Sequence, residues 1–237
     1  MILYKVQVER IKKKLLLAKR KDRNFEVFGA DKHKYVLHNP ATENEVLAFE
    51  KQFDITLPEC YKSFLLFIGN GGISYLKSGA GPFLGIYPLG FGMDDLCWES
   101  TSECLKSDCI LYPGMSDEFW QGLINRIEID DEISDVDYNE EMGKIFSGIM
   151  PIGSQGCTYV HGIVLNGEHK GRVMNLDIDR QKPKFAYEPN FLDWYERWLN
   201  EVISGELTKT KPSWFGYSPS KSPIDVEVSV NRKWYQF

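Results

Sequence analysis

The sequence has little that would hold a metal ion or a disulfide framework. It contains five cysteines at irregular spacing with no C-x-x-C, and its four histidines form no H-x-x-x-H. Zinc sites and disulfide-stabilised secreted domains depend on such spacings. Reduced thiols in a cytoplasmic protein are therefore the favoured interpretation, and we expect no metal and no cofactor.

Long apolar runs are also missing. The apolar run behind the basic N-terminus covers only residues 15–18, which is too short for the core of a signal peptide. No stretch approaches the ~18 apolar residues of a membrane span. With 237 residues, 43% of them hydrophobic, the chain is long enough to bury its own core. We expect a cytoplasmic protein without a membrane partner.

The sequence contains no complete phosphate-binding motif. The glycines near 69–72 and 79–81 lack both the spacing of a dinucleotide turn and the Gly-Lys-Ser/Thr of a P-loop. Tight turns are the favoured interpretation. No pattern of catalytic residues is recognisable either. Asp177 and Asp179 are close in sequence but have no identifiable acid partner, so a role in a turn is favoured over glycoside chemistry.

The N-terminus is strongly basic. Residues 1–23 hold nine Lys and Arg against two acids, in a pattern that predicts a helix with Val8, Ile11 and Leu15 on one side. One interpretation is a patch for phosphate or anionic lipid. The favoured alternative is a solvated face whose few apolar residues pack on the core. No aromatic residues are interleaved with the basic ones, so direct binding of nucleic acid is not expected.

Two helices are predicted around residues 42–72, at 42–53 and 58–68. Thr42 and Glu45 have the spacing of a capping box, and Pro58 suits a first helical turn. Before them, 25–37 contains short β-like pieces with His33, for which a structural role is favoured over a ligand or a base. After them, 83–89 is strand-like.

The C-terminal half predicts an antiparallel sheet followed by a helix. Residues 158–165 and 171–176 are strand-like and are joined by the Asn166-Gly167 turn. An aromatic stripe at Phe191, Tyr195, Trp198 and Val202 indicates a helix over 191–203. Residues 205–222 have the composition of a linker. The alternation of apolar and charged residues at 224–230 predicts an edge strand.

The segment 94–141 is strongly acidic. It holds fifteen Asp and Glu against Lys106 and Arg126, a net of −13, whereas the whole chain is −6. Ser116 and Ser134 are placed to cap two amphipathic helices, whose acids would lie on the outer faces. Two uses are open at even weight: attraction of a basic partner, or a solubilising surface. A calcium loop at 130–141 is disfavoured because position six has no glycine.

Several short pieces, in order, resemble the SUKH superfamily. They are FGADKHKYVL at 28–37, FE at 49–50, LPECYKSFLLFIGNGG at 57–72, GAGPFLGIYPLG at 79–90, MPIGSQGC at 150–157, NG at 166–167 and NFLDWYERWL at 190–199. That group includes fungal cell-wall assembly regulators and bacterial immunity proteins against secreted toxins. The resemblance implies an α+β fold that binds other proteins, and the fold leaves the particular partner open.

We therefore predict a single α+β domain in which helices pack an antiparallel sheet, with an acidic helical insertion at about 94–146. The predicted organisation is a basic N-terminal helix at 1–24, a SUKH-like domain at 25–204, and a linker with a possible edge strand at 205–237.

The functional prediction is a non-catalytic immunity protein that occludes a basic, nuclease-type toxin. The alternative is a regulatory scaffold like the fungal proteins, whose long flanking arms this chain lacks. An enzyme acting on glycans is the third class and would need paired carboxylates. Trp98 or Trp120, where exposed, would anchor the partner. The candidate partner-binding residues are Asp94, Asp95, Glu99, Asp117, Glu118, Asp130, Asp131, Glu132, Asp135 and Asp137.

Overall fold

A computed structural model describes residues 3–74, 76–96, 101–129, 133–179 and 181–209. The helices within these ranges are α1 (Lys5–Lys21), α2 (Ala30–His33), α3 (Glu43–Phe53), α4 (Glu59–Phe67), α5 (Thr101–Lys106), α6 (Asp117–Ile129), α7 (Asp135–Ile145), α8 (Phe191–Ser204) and α9 (Glu206–Lys209). The strands are β1 (Ile149–Gly156), β2 (Tyr159–Val164), β3 (Val173–Asp177) and β4 (Lys184–Phe185). They form one antiparallel sheet in the order β1-β2-β3-β4. The predicted α+β class is confirmed.

Both faces of the sheet are buried, and each face has its own layer of helices. On one face, Met150, Ile163 and Val173 join a core formed with α1, α3, α4 and α8. On the other face, Val164 and Met174 join a second core formed with α5, α6 and α7. Alternate residues of a strand point to opposite faces, so one sheet supports both cores. The acidic segment is therefore the layer that covers the second face.

The two predicted central helices form with small differences at their ends. Thr42 caps α3 in a capping box, since its Oγ1 accepts from the Glu45 backbone N at 3.2 Å and its backbone N donates to Glu45 Oε2 at 2.7 Å. Pro58 lies one position earlier than predicted, as the residue that precedes α4. Its fixed φ still suits the entry to the helix, and its missing N–H leaves no donor without a partner.

Residues 25–37 do not form the predicted β-like pieces. Gly29 has φ 81° and precedes α2, and Lys34 and Tyr35 follow it with φ of 50° and 56°. Consecutive left-handed residues are incompatible with an extended strand. The turn is held by the buried Asp22, whose Oδ2 accepts from the Tyr35 hydroxyl at 2.7 Å.

The strand-like prediction for 83–89 is also wrong in its extent. Phe83 and Gly85 have φ of 54° and 101°, which interrupts the extended backbone. Within this segment only Ile86 forms bridges, one to Gly79 and one to Gly153 of the edge strand β1. This segment therefore lies beside the sheet as a loop with isolated bridges.

Helix α8 has the aromatic stripe predicted for it, because Phe191, Tyr195, Trp198 and Val202 are all buried. Asn190 caps the helix by accepting from the Asp193 backbone N at 3.1 Å. Gly205, with φ 77°, ends it in the left-handed conformation that glycine adopts at low cost.

Helix α1 packs on α8. Val8 and Ile11 are buried as predicted, and two of the basic residues contact Glu196 of α8. Lys14 Nζ lies 2.7 Å from Glu196 Oε1, and Arg10 donates to both carboxylate oxygens, with Nη2 at 2.7 Å from Oε2. Part of the basic charge of the N-terminus is thus used to attach α1 to the rest of the fold.

The predicted linker begins with the short helix α9, and residues 210–237, including the predicted edge strand, lie outside the described residues. Four cysteines fall within the described ranges and all four are free thiols. A search of the described helices found none that is long and apolar enough to cross a membrane.

Candidate partner-binding surface

The acidic segment is built from amphipathic helices whose apolar sides face the sheet. In α6, Trp120, Ile124 and Ile127 are buried, and in α7 Met142 and Ile145 are buried, as predicted. Serines begin both helices as predicted too. Ser116 Oγ accepts from the Phe119 backbone N at 3.1 Å, and Ser134 Oγ accepts from that of Asp137 at 3.2 Å. The acids therefore remain on the solvent side.

Four of the predicted binding residues lie in first helical turns and are exposed. Asp117 and Glu118 begin α6, and Asp135 and Asp137 begin α7. Carboxylates are favourable there because the backbone N–H groups give a helix N-terminus a partial positive charge. The positions thus have a local structural reason, separate from the binding role predicted from the sequence.

Asp117 and Glu118 are partly compensated. Asp117 forms an ion pair with Lys182 in the loop between β3 and β4, and this contact lowers the pKa of the Asp117 carboxyl. The pKa of Glu118 is lowered by a backbone hydrogen bond at its own N–H and by the Ser116 hydroxyl. Asp117 therefore has a cationic neighbour, whereas Glu118 is stabilised by local hydrogen bonds.

Asp94 and Asp95 lie in a 3₁₀ turn at Met93–Asp95, at the edge of a cavity of about 270 Å³. Asp94 is exposed and Asp95 is partly buried. Burial raises the pKa of Asp95, and the neighbouring Asp94 carboxylate raises it further. The rest of the cavity is largely apolar and includes Leu96, Met142, Phe146 and Ile178. The structure therefore brings two of the predicted acids together with α7.

The remaining predicted residues, Glu99, Asp130, Asp131 and Glu132, lie outside the described residues, as does Trp98. Trp120 lies within them and is only 2% exposed. Its indole packs in the second core near Phe146, with ring centroids 6.4 Å apart. Trp120 therefore does not meet the condition of exposure on which its role as an anchor depended, and its burial agrees with the apolar stripe predicted for α6.

His33 is a core residue. It is fully buried, its Nδ1 accepts from the Tyr35 backbone N at 3.1 Å, and its ring meets those of Tyr35 and Trp198 edge to face. Burial lowers the pKa of His33 to about 4, so its imidazole is neutral at pH 7. The structural role favoured from the sequence agrees with these contacts.

Asp177 has the turn role favoured from the sequence. Its Oδ1 accepts from the Thr158 hydroxyl at 2.7 Å and from the Asp179 backbone N at 3.1 Å. These bonds close the end of β3 onto the β1–β2 hairpin.

Among the described residues, the lining of the cavity beside Asp94 and Asp95 does not have the arrangement that glycoside hydrolysis requires. Two carboxyl groups must flank the scissile bond, but these two are consecutive residues on one turn. Helix α7 contributes Tyr138, Asn139 and Met142 to the lining, and none of these is a carboxylate. Within the described residues, no group of three or more His, Cys, Asp or Glu is placed to hold a metal ion.

Sequence reasoning located the acids but missed the cavity. Tyr138, Met142 and Phe146 were recognisable as the inner side of a helix. Leu96 and Ile178 come from segments far apart in the chain, and no sequence pattern links them to α7.

Residues 40–197 match the model of the SMI1 / KNR4 family (SUKH-1). Searches of the curated proteins and of the solved structures found no match. The matched region extends from just before α3 into α8 and includes the sheet and the acidic helices, whereas α1 and α2 precede it.

Proposed function

The chain belongs to the SMI1 / KNR4 family (SUKH-1), and from this membership we propose that it is a non-catalytic immunity protein that neutralises a bacterial toxin by occluding it. The family includes toxin-immunity proteins and fungal regulators, and it is generally non-catalytic. A protein partner is the common property of these functions. The finer proposal is that this partner is basic and of nuclease type.

The observation that carries the proposal is the placement of the acids. Six acids of the segment are exposed on helices whose buried sides pack in the second core: Glu103, Asp117, Glu118, Asp135, Asp137 and Glu140. Like charges held on one rigid surface repel one another, which opposes folding. A basic partner would relieve this repulsion, and a nuclease must present positive charge to hold phosphates. Complementary charge therefore supports a partner of this class.

In the proposed mechanism, electrostatic attraction brings the partner to the acidic surface and short-range packing then holds it. Long-range attraction acts mainly on the association rate. Specificity would come from the acidic helices, whereas α3, α4 and α8 serve as the scaffold. The toxin is neutralised because its substrate site is covered.

The proposal is tested by capture of the tagged protein's partners from its native cell, with two variants beside it. The first carries Asp94→Lys, Asp135→Lys and Glu140→Lys, all exposed acids of the segment. The control carries Asp31→Lys, Glu43→Lys and Glu168→Lys, exposed acids outside the segment that produce the same change in net charge.

We expect one basic, toxin-like polypeptide that the control retains and the first variant loses. If both variants lose it equally, net charge rather than the acidic surface is responsible. Recovery of several cellular proteins by all three forms would contradict the immunity function and favour the regulatory scaffold.

A further inference from the structure

We propose that the cavity between residues 94–96 and α7 receives the side chain of one arginine or lysine of the partner, which deepens the proposed function and rests on it. The apolar lining residues Leu96, Met142, Phe146 and Ile178, called the floor below, would cover the aliphatic stem. The carboxylates of Asp94 and Asp95, called the rim, would bind the cationic group. Both groups of residues line the same cavity.

The size of the cavity favours a single side chain. Pockets that hold whole small molecules usually measure roughly 300–1,000 Å³, and this one measures about 270 Å³. It is therefore at or below the lower limit for a cofactor or metabolite, but it is large enough for a side chain that enters from a partner's surface.

The floor suits a long side chain with a charged end. Its apolar surface comes from Leu96, Met142, Phe146 and Ile178. Tyr138 adds an aromatic ring to the lining. Arginine and lysine cover apolar surface with their methylene stems while the charged group stays at the rim. A guanidinium or ammonium is also attracted to aromatic faces.

The charge at the rim selects a cation. The carboxylates of Asp94 and Asp95 form no ion pair with any residue that the structure describes. Asp95 is partly buried beside a like charge, which is unfavourable until a cation arrives. An apolar ligand would bury these carboxylates further without compensation, and an anion would be repelled. A cationic side chain is the occupant that satisfies both the floor and the rim.

The test uses a probe instead of the partner, so it does not depend on the identity of the toxin. The full-length protein, with labelled methyl groups, is titrated with acetyl-arginine-methylamide while the methyl signals of Leu96, Met142 and Ile178 are followed by NMR. The matched probe is the citrulline analogue, which has nearly the same shape without the charge. A third probe, methylguanidinium, has the charge without the stem.

We expect saturable shifts at these three residues with the arginine probe, and about tenfold weaker binding of each of the other two probes. Asp95→Asn should weaken arginine binding at least about threefold. Asp31→Asn, an exposed acid of α2 outside the segment, is the control for the change in net charge and should leave binding unaltered. A melting curve verifies that both variants are folded.

Equal binding of the arginine and citrulline probes would overturn the proposal, as would shifts that do not include these three residues. The proposed function can fail independently. If the captured partner requires the acidic surface but binds wild type and Asp95→Asn equally, the result supports the proposed function and contradicts the proposed role of the cavity. If the arginine probe binds but no basic partner is captured, the result supports the cavity as a cation-binding site and contradicts the immunity function.

Discussion

Helix α1 lies outside the region that matches the family, yet its contacts predict that it is an integral part of the fold. Ile11 is 0% exposed in the core beneath α8, whereas Val6 on the same helix is 77% exposed. Truncating a buried isoleucine to alanine removes packed methyl groups and leaves a cavity, at a cost of about 2–5 kcal/mol. We therefore expect Ile11→Ala to reduce the free energy of unfolding by that amount.

Val6→Ala is the matched control. Both substitutions replace a β-branched residue by alanine within one helix, so the gain in helix propensity is similar for both. Surface substitutions of this kind usually change stability by less than about 0.5 kcal/mol. Chemical denaturation followed by circular dichroism measures both values. If the two variants differ by less than about 1 kcal/mol, α1 is an appended arm and the reasoning from its burial is wrong.

Two further predictions concern the other contacts between layers. Burial alone would raise the pKa of Glu196, but hydrogen bonds from Arg10 and Lys14 outweigh it and lower this pKa to about 2. The resulting stabilisation, roughly 1–2 kcal/mol after allowance for solvent at Arg10, is present above about pH 4.5 and is lost as the pH falls through about 2. Denaturation at pH 7 and pH 3 should show this dependence in wild type and a smaller one in Glu196→Gln, and identical pH dependences would contradict it. If the acidic helices belong to the cooperative core, Trp120→Ala should reduce the free energy of unfolding by about 3–5 kcal/mol. The control Tyr112→Ala, at an exposed side chain, should reduce it much less. Equal reductions in the two variants, measured by denaturation, would show that the acidic layer unfolds separately.

The elements that were predicted well are those whose signals are local. The capping box at Thr42 and the aromatic stripe of α8 depend on residues within a few positions of one another, and periodicity or cap spacing is enough to identify them. The class of the fold followed from the order of such elements.

The elements that were predicted wrongly depend on contacts from elsewhere. The turn around α2 is fixed by Asp22, which precedes it in sequence and accepts a hydrogen bond from the Tyr35 hydroxyl. Residues 83–89 have the composition of a strand, but the left-handed backbone at Phe83 prevents a continuous ladder. Local propensity was overridden in both segments by the backbone path.

The candidate site was predictable only in its charge. The acids are visible in the sequence, and so is the inner side of α7. The cavity depends on how the 3₁₀ turn, α7 and the residue after β3 meet around one sheet, which is a property of packing between distant segments.

The central claim is that the outer surface of the acidic helices attracts a basic protein. The most direct measurement is the association rate of the captured partner with wild type, with the Asp94, Asp135 and Glu140 reversal, and with the Asp31, Glu43 and Glu168 control, at low and high salt. We expect the reversal to slow association about tenfold or more at low salt, with a smaller difference at high salt, while the control stays close to wild type. An association rate that is the same for the reversal and for wild type at low salt would contradict the claim.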